Sequence, residues 1–274
     1  MRLSKPVAAL AALSLLAACG EISAPVAPEG GPSRIVGGTP TGAGFGSVGG
    51  LLYDFAGDGV LDGDDLVCTG ALISPTVFLT AAHCVDFLPA GSQLHVSFSP
   101  DLYASPKVVA ATGYRFDPQY NHDFGDLHDM AVVFLDARTT RGIAPLKLPR
   151  QGYLDGLAAK GQLGGQLFVN VGYGTSASRT GVPSYGYDGV RKHSKSGFSS
   201  LQGTWLNLLI NSNATGEGGD CYGDSGGPKF IDGKLDTVVA IVSTGDIPCR
   251  ATSRSYRVDS PSARAFLGQF VALP

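Results

Sequence analysis

The segment Cys221-Tyr222-Gly223-Asp224-Ser225-Gly226-Gly227-Pro228 sets a serine between an aspartate and two glycines, with a third glycine two positions earlier. Glycine inside a regular element costs roughly 0.5–1 kcal/mol relative to alanine, so Gly226 and Gly227 point to backbone that must approach something closely. A serine hydroxyl beside backbone N–H groups is the equipment of acyl transfer: a nucleophile, and donors for the oxyanion formed on attack. Serine alone is a weak nucleophile, and the chemistry needs a base with an acid to orient it. Thr80-Ala81-Ala82-His83-Cys84 follows the apolar run Val77-Phe78-Leu79, which sets His83 just past a predicted strand. His128-Asp129 precedes the apolar run from Met130 to Leu135, which sets a carboxylate at the mouth of another.

With these three motifs the chain resembles the chymotrypsin/trypsin family of serine proteases. The resemblance implies His83 as general base, Asp129 as the buried acid that fixes its tautomer, and Ser225 as nucleophile. It implies an oxyanion hole formed by the N–H groups of Gly223 and Ser225. The chain order His, Asp, Ser is that of this family and not of subtilisins or α/β-hydrolases. Arg34-Ile35-Val36-Gly37-Gly38 resembles the activation site of the family's zymogens. Cleavage after Arg34, by an activating protease or by the enzyme itself, would create an ammonium on Ile35, which in the family pairs with the aspartate preceding the nucleophile, here Asp224. A buried charge is tolerated when paired, and breaking such a pair costs about 3–5 kcal/mol.

The composition fits an all-β protein. Of 274 residues, 43% are hydrophobic, and the 39 glycines and 17 prolines are spread among short apolar runs. Many short strands with frequent turn signals indicate a sandwich or barrel. The family fold sharpens this to two six-stranded antiparallel β-barrels with a C-terminal helix. Barrel one is expected at about 35–145, barrel two at about 146–258 and the helix at about 260–272, together forming a peptidase domain over 35–274. The helix expectation has its own basis in Ser260-Pro261 and the helical spacing of Ala263, Phe266, Leu267 and Phe270. A net charge of −3 leaves no basic footprint for nucleic acid. No P-loop or HExxH motif is present, and no metal or cofactor is expected for catalysis. The acidic turn from Gly57 to Asp65 raises a structural calcium, but it lacks EF-hand spacing and reads as a solvated hairpin tip. Ser176 to Ser200 is polar and reads as a long surface loop, with Arg179, Arg191, Lys192 and Lys195 in solvent.

The first 18 residues read as a signal peptide, with Arg2 and Lys5 ahead of an apolar stretch too short to span a bilayer. Leu16-Ala17-Ala18-Cys19-Gly20 resembles the lipobox of bacterial lipoproteins, which implies lipid on Cys19 and a lipid tether or propeptide over 19–34. The alternative is ordinary signal cleavage. The protein is therefore expected to be exported, either held at the cell envelope by lipid or extracellular after activation. Five cysteines in an exported chain leave one odd thiol. With Cys19 acylated, the family pattern pairs Cys68 with Cys84 and Cys221 with Cys249.

For specificity, the resemblance places the base of the primary pocket at Gly219, where trypsins carry an aspartate. Asp220 beside it could still supply a carboxylate. Ser243-Thr244-Gly245 resembles the strand that pairs with substrate backbone, and Arg254 is expected near the opposite wall. Either Arg254 faces Asp220 and neutralises it, or it faces away and a basic substrate residue remains open. The function implied is a serine endopeptidase acting on proteins or peptides. The alternatives are a catalytically silent binding module and a serine esterase on the same fold.

Overall fold

The structure is a computed structural model, and it describes residues 38–104, 106–177 and 182–274. Strands of two to ten residues, separated by glycine and polar turns, build it. The first sheet contains β2 (Val48–Leu52), β3 (Leu66–Ser74), β4 (Val77–Thr80), β5 (His95–Ser97), β6 (Val108–Ala110), β7 (Gly113–Phe116) and β8 (Ala131–Phe134). They run in the order β6-β5-β2-β3-β4-β8-β7, all antiparallel, as a curled half-barrel.

The second sheet is built from β1 (Thr39–Pro40), β9 (Leu167–Gly172), β12 (Lys192–Leu201), β13 (Trp205–Leu209), β14 (Pro228–Ile231), β15 (Ala240–Gly245) and β16 (Thr252–Arg257). Its order is β1-β12-β13-β16-β15-β14-β9, and the pairing of β12 with β9 closes six of these strands into a barrel. A small ribbon joins β10 (Ser176–Ala177) to β11 (Tyr185–Gly186). Helices are few and short: α1 (Tyr153–Ala158), α2 (Ser212–Thr215) and α3 (Pro261–Leu267). In α3, Ser260 caps the helix by accepting from the Ala263 N–H, and Ala263, Phe266 and Leu267 are buried. The helix ends at Leu267, while Phe270 and Val271 pack on the core from the turn that follows.

β12 corrects the expectation of a long loop. Its ten residues pair with β9 on one side and β13 on the other. Its inward side chains are polar, because Ser194 and Ser196 face Asn170 inside the barrel, so no apolar alternation marks it. Arg191 and Lys192 are buried rather than solvated. The Arg191 guanidinium donates to the carbonyls of Val48, Phe98 and Gly44 and to the hydroxyl of Thr41, tying the chain's early segment to the barrel. Lys195 reaches Asp232 at the surface at 2.6 Å, and Arg179 lies outside the described residues. In the acidic turn, Asp54 accepts from the N–H groups of Gly57 and Gly59, and Asp62 and Asp65 cap a single 3₁₀ turn.

Candidate active site

His83 lies in a 3₁₀ turn, Ala82–Cys84, that follows β4 directly, and Cys84 is bonded to Cys68 on β3. Asp129 stands at the entrance of β8, the strand paired with β4, so the ladder brings the two side chains together. His83 Nδ1 lies 2.8 Å from Asp129 Oδ2, and the His83 backbone N–H donates to Oδ1 at 3.0 Å. An ionised carboxylate only accepts, so Nδ1 carries the proton and Nε2 keeps its lone pair for a substrate-side partner. The Asp129 side chain is almost fully buried and that of His83 is 28% exposed.

The electrostatics follow from this pairing. Burial opposes the Asp129 carboxylate, but the hydrogen bond and charge of His83, together with donors from Ser243 and the His83 backbone, hold it below the usual range. Burial likewise lowers His83, and the hydrogen bond and charge of Asp129 with the charge of Asp86 raise it above its ordinary value. Ser243, expected to serve the substrate strand, donates its hydroxyl to Asp129 Oδ2 at 2.5 Å. Its signal in the sequence was one hydroxyl closing the apolar run Val238 to Val242.

The Ser225 segment is held from several sides. Thr69 on β3 donates its backbone N–H to the Ser225 carbonyl at 2.9 Å and its hydroxyl to the Gly223 carbonyl at 2.9 Å. Gly223 has φ +92° and Gly226 φ +75°, both in the left-handed region. A Cβ on Gly226 would stand 2.1 Å from Thr80 Oγ1 and 2.5 Å from the Thr69 carbonyl oxygen, so this glycine marks a close approach to β3 and β4. Thr80 opens the motif that carries His83, whereas Thr69 reads in the sequence as an ordinary strand residue. The Cys221–Cys249 bond joins the segment to the turn after β15.

Asp224 is buried, and its carboxylate accepts from the Gly174 N–H at 2.8 Å and the Cys221 N–H at 2.9 Å. Burial, opposed by those donors, pushes it up to about 7. The residues proposed to act upon it, Arg34 and Ile35, and the lipid candidate Cys19 lie outside the described residues.

Beside Ser225 opens a pocket of about 270 Å³, walled by Ile210, Asp220, Tyr222, Val242 and Ile247 and floored by the Cys221–Cys249 bond. Thr244 and Gly245 line it. Arg254 does not: its guanidinium stacks 4.4 Å above the Trp205 ring, turned away from the pocket. Tyr222 reaches across the mouth and donates its hydroxyl to the Ile247 carbonyl at 2.8 Å, and Tyr185 donates to the same oxygen. A second pocket, also of about 270 Å³, lies on the other side of Tyr222 and Gly223, against Leu66 and Val67.

The family model named Trypsin matches residues 54–266. The chain belongs to the trypsin family. It is 29% identical over 187 residues to brachyurin of Leptuca pugilator, spanning 62% of this chain and 74% of that protein. It is 26% identical over 185 residues to trypsin zeta of Drosophila erecta, spanning 63% of each. With coagulation factor XII of Rattus norvegicus the identity is 26%, over 61% of this chain and 30% of the relative, so the chain spans well under two thirds of some relatives. Among solved structures, a protein titled HL collagenase superposes with TM-score 0.63 at 20% identity, covering 86% of this chain and 97% of that one. Human heparin binding protein superposes with TM-score 0.61 at 19% identity, covering 86% and 96%. At these identities the superpositions speak for the fold.

Proposed function

We propose that this trypsin-family chain is a serine endopeptidase that hydrolyses peptide bonds through Ser225, His83 and Asp129. The observation that carries the reading is the 2.8 Å contact of His83 Nδ1 with a buried Asp129 whose other oxygen accepts the His83 backbone N–H. That arrangement locks the imidazole in the tautomer with a basic Nε2. Ser225 Oγ attacks the scissile carbonyl carbon, and its proton passes to His83 Nε2. The carbonyl π electrons move onto oxygen, where the N–H groups of Gly223 and Ser225 donate to it. Collapse breaks the C–N bond, and His83 returns the proton to the leaving amine. Water then attacks the acyl-enzyme by the same path in reverse, freeing the acid and Ser225. Loss of one oxyanion donor in such a site costs roughly 2.7–4 kcal/mol of transition-state stabilisation.

The enzyme is made as a zymogen in this reading. Cleavage after Arg34 supplies an Ile35 ammonium to Asp224, whose buried carboxylate is otherwise neutralised by protonation near pH 7. Export follows the signal peptide, with lipid on Cys19 anchoring the uncut chain. Cys68, Cys84, Cys221 and Cys249 are engaged with one another, so no disulfide from Cys19 to them holds the two pieces together after the cut. Activation then releases the catalytic domain from the membrane. Fractionation after activation tests this: an Ile35 N-terminus in the soluble fraction is expected, and retention in membranes without a partner overturns it.

The test of the catalyst is Ser225→Ala. The variant is expected to fold, to lose peptide and ester hydrolysis, and to lose labelling by a fluorophosphonate. Undiminished turnover would sink the assignment.

A further inference from the structure

We infer that the primary pocket of this chain takes a neutral apolar side chain, because Lys229 has already claimed Asp220, the carboxylate the sequence offered to a basic substrate residue. The inference rests on the endopeptidase reading for what the pocket receives. Its geometry stands apart from the catalytic residues.

Lys229 lies on β14 and its side chain is wholly buried. Strand register sets it opposite Asn170 on β9, and its ammonium donates to Asn170 Oδ1 at 2.6 Å. The Asn170 amide nitrogen donates in turn to Ser194 and Ser196 of β12, which fixes the orientation of the amide. The same ammonium donates to Asp220 Oδ1 in close contact, and Ser253 donates to Oδ2 at 2.7 Å. Both oxygens of the carboxylate that borders the pocket therefore have partners, one of them a full positive charge.

A trypsin-like pocket needs a counter-ion to replace the water stripped from an entering ammonium or guanidinium, since an unpaired charge in such a site is strongly disfavoured. Asp220 cannot serve while Lys229 and Ser253 hold it. The other carboxylate on the lining is Asp246, which accepts from the backbone N–H groups of Arg250, Ala251 and Thr252. At Gly219, a Cβ would stand 2.0 Å from Ile210 Cγ2, so the space a longer residue would use is occupied by an apolar side chain. An acidic substrate residue gains nothing either, because Lys229 is sealed behind Asp220. The rest of the lining carries no charge: the neutral Tyr222, Ser243, Thr244 and Thr252 stand beside Ile210, Val242, Ile247 and the disulfide, walls for a single neutral apolar side chain.

Two measurements test this, one of which needs no turnover. In the Ser225→Ala chain, the cationic fluorescent ligand p-aminobenzamidine is expected to bind weakly, and adding Lys229→Met is expected to tighten it tenfold or more by freeing Asp220. In the activated enzyme, peptides varied only at the residue before the scissile bond are expected to favour leucine, methionine or phenylalanine over arginine or lysine by tenfold or more. Tight p-aminobenzamidine binding to the chain with Lys229 intact, or equal or better cleavage after arginine, overturns the inference. The double variant Asp220→Ser/Lys229→Met removes both charges and avoids an orphaned ion. It is expected to keep weak binding of the cation, and a gain there would equally overturn it. Failure of fluorophosphonate labelling would instead count against the catalytic reading, and the ligand measurement would still decide the pocket.

Discussion

At the scale of single residues, the His83–Asp129 pair sets two pH responses of opposite sign. The His83 pKa is raised above its ordinary value of about 6.5, so the stability its ion pair contributes is fully present below that pH. That contribution fades as pH rises through the folded-state value. In the proposed mechanism activity needs the neutral imidazole and rises over the same interval. The acid limb of kcat/KM is therefore expected to have its midpoint above 6.5. Asp129→Asn should move the limb down in pH and lower kcat by roughly 10⁴-fold through the wrong tautomer, as a pH–rate profile of both proteins would show. Asp224 behaves differently. Its pKa in the uncut chain is about 7, so ionising it opposes folding as pH rises from about 4 to about 7. Asp224→Asn is expected to stabilise the uncut chain at pH 8 and leave it little changed at pH 4. Denaturant titrations at the two pH values check this, and equal effects at both would refute it.

Single elements carry loads that local pattern does not announce. β12 bridges β9 and β13, and the residue just before it, Arg191, holds the 41–48 segment through carbonyl acceptors at Val48 and Gly44 and the end of β5 through that of Phe98. Arg191→Met would leave those buried carbonyls short of a donor at about 1–3 kcal/mol each. A total loss on the order of 3–5 kcal/mol by chemical denaturation is expected, and a loss under 1 kcal/mol would show that water replaces the guanidinium. Gly226→Ala should be more damaging to activity than its one methyl suggests. It forces φ +75° on a residue with Cβ and drives that carbon into Thr80 and Thr69. β4 and β8 were legible because they are continuous apolar runs, buried almost throughout. β12 was not, because its interior face is serine and lysine satisfied by Asn170, Asp188 and the serines' own network.

Across the whole molecule, the proposed site draws on both sheets, with His83 and Asp129 beside β4 and β8 and Ser225 ahead of β14. The Asp129 loop is anchored to the second barrel by Trp205 Nε1 donating to the Phe124 carbonyl at 2.8 Å and Thr204 to the Gly125 carbonyl at 3.0 Å. The two disulfides close sequence separations of 16 and 28, each adding about 3–4 kcal/mol on the loop-entropy model. Cys68→Ala/Cys84→Ala is expected to lose about 3 kcal/mol of stability and to lower activity through a looser His83 turn. Unchanged thermal midpoint and unchanged kcat/KM would contradict that coupling.

By itself the sequence determined the family and the mainly β architecture, and it marked the histidine and aspartate that the fold pairs, His83 and Asp129. Those residues sit in short contiguous motifs whose chemistry is local. The tertiary structure alone decided what lies around them. Arg254, one residue from Ser253, turns onto Trp205, while Lys229 arrives from another strand to take Asp220. Side-chain direction in a closed barrel depends on register between strands distant in the chain, and no spacing along the chain encodes it.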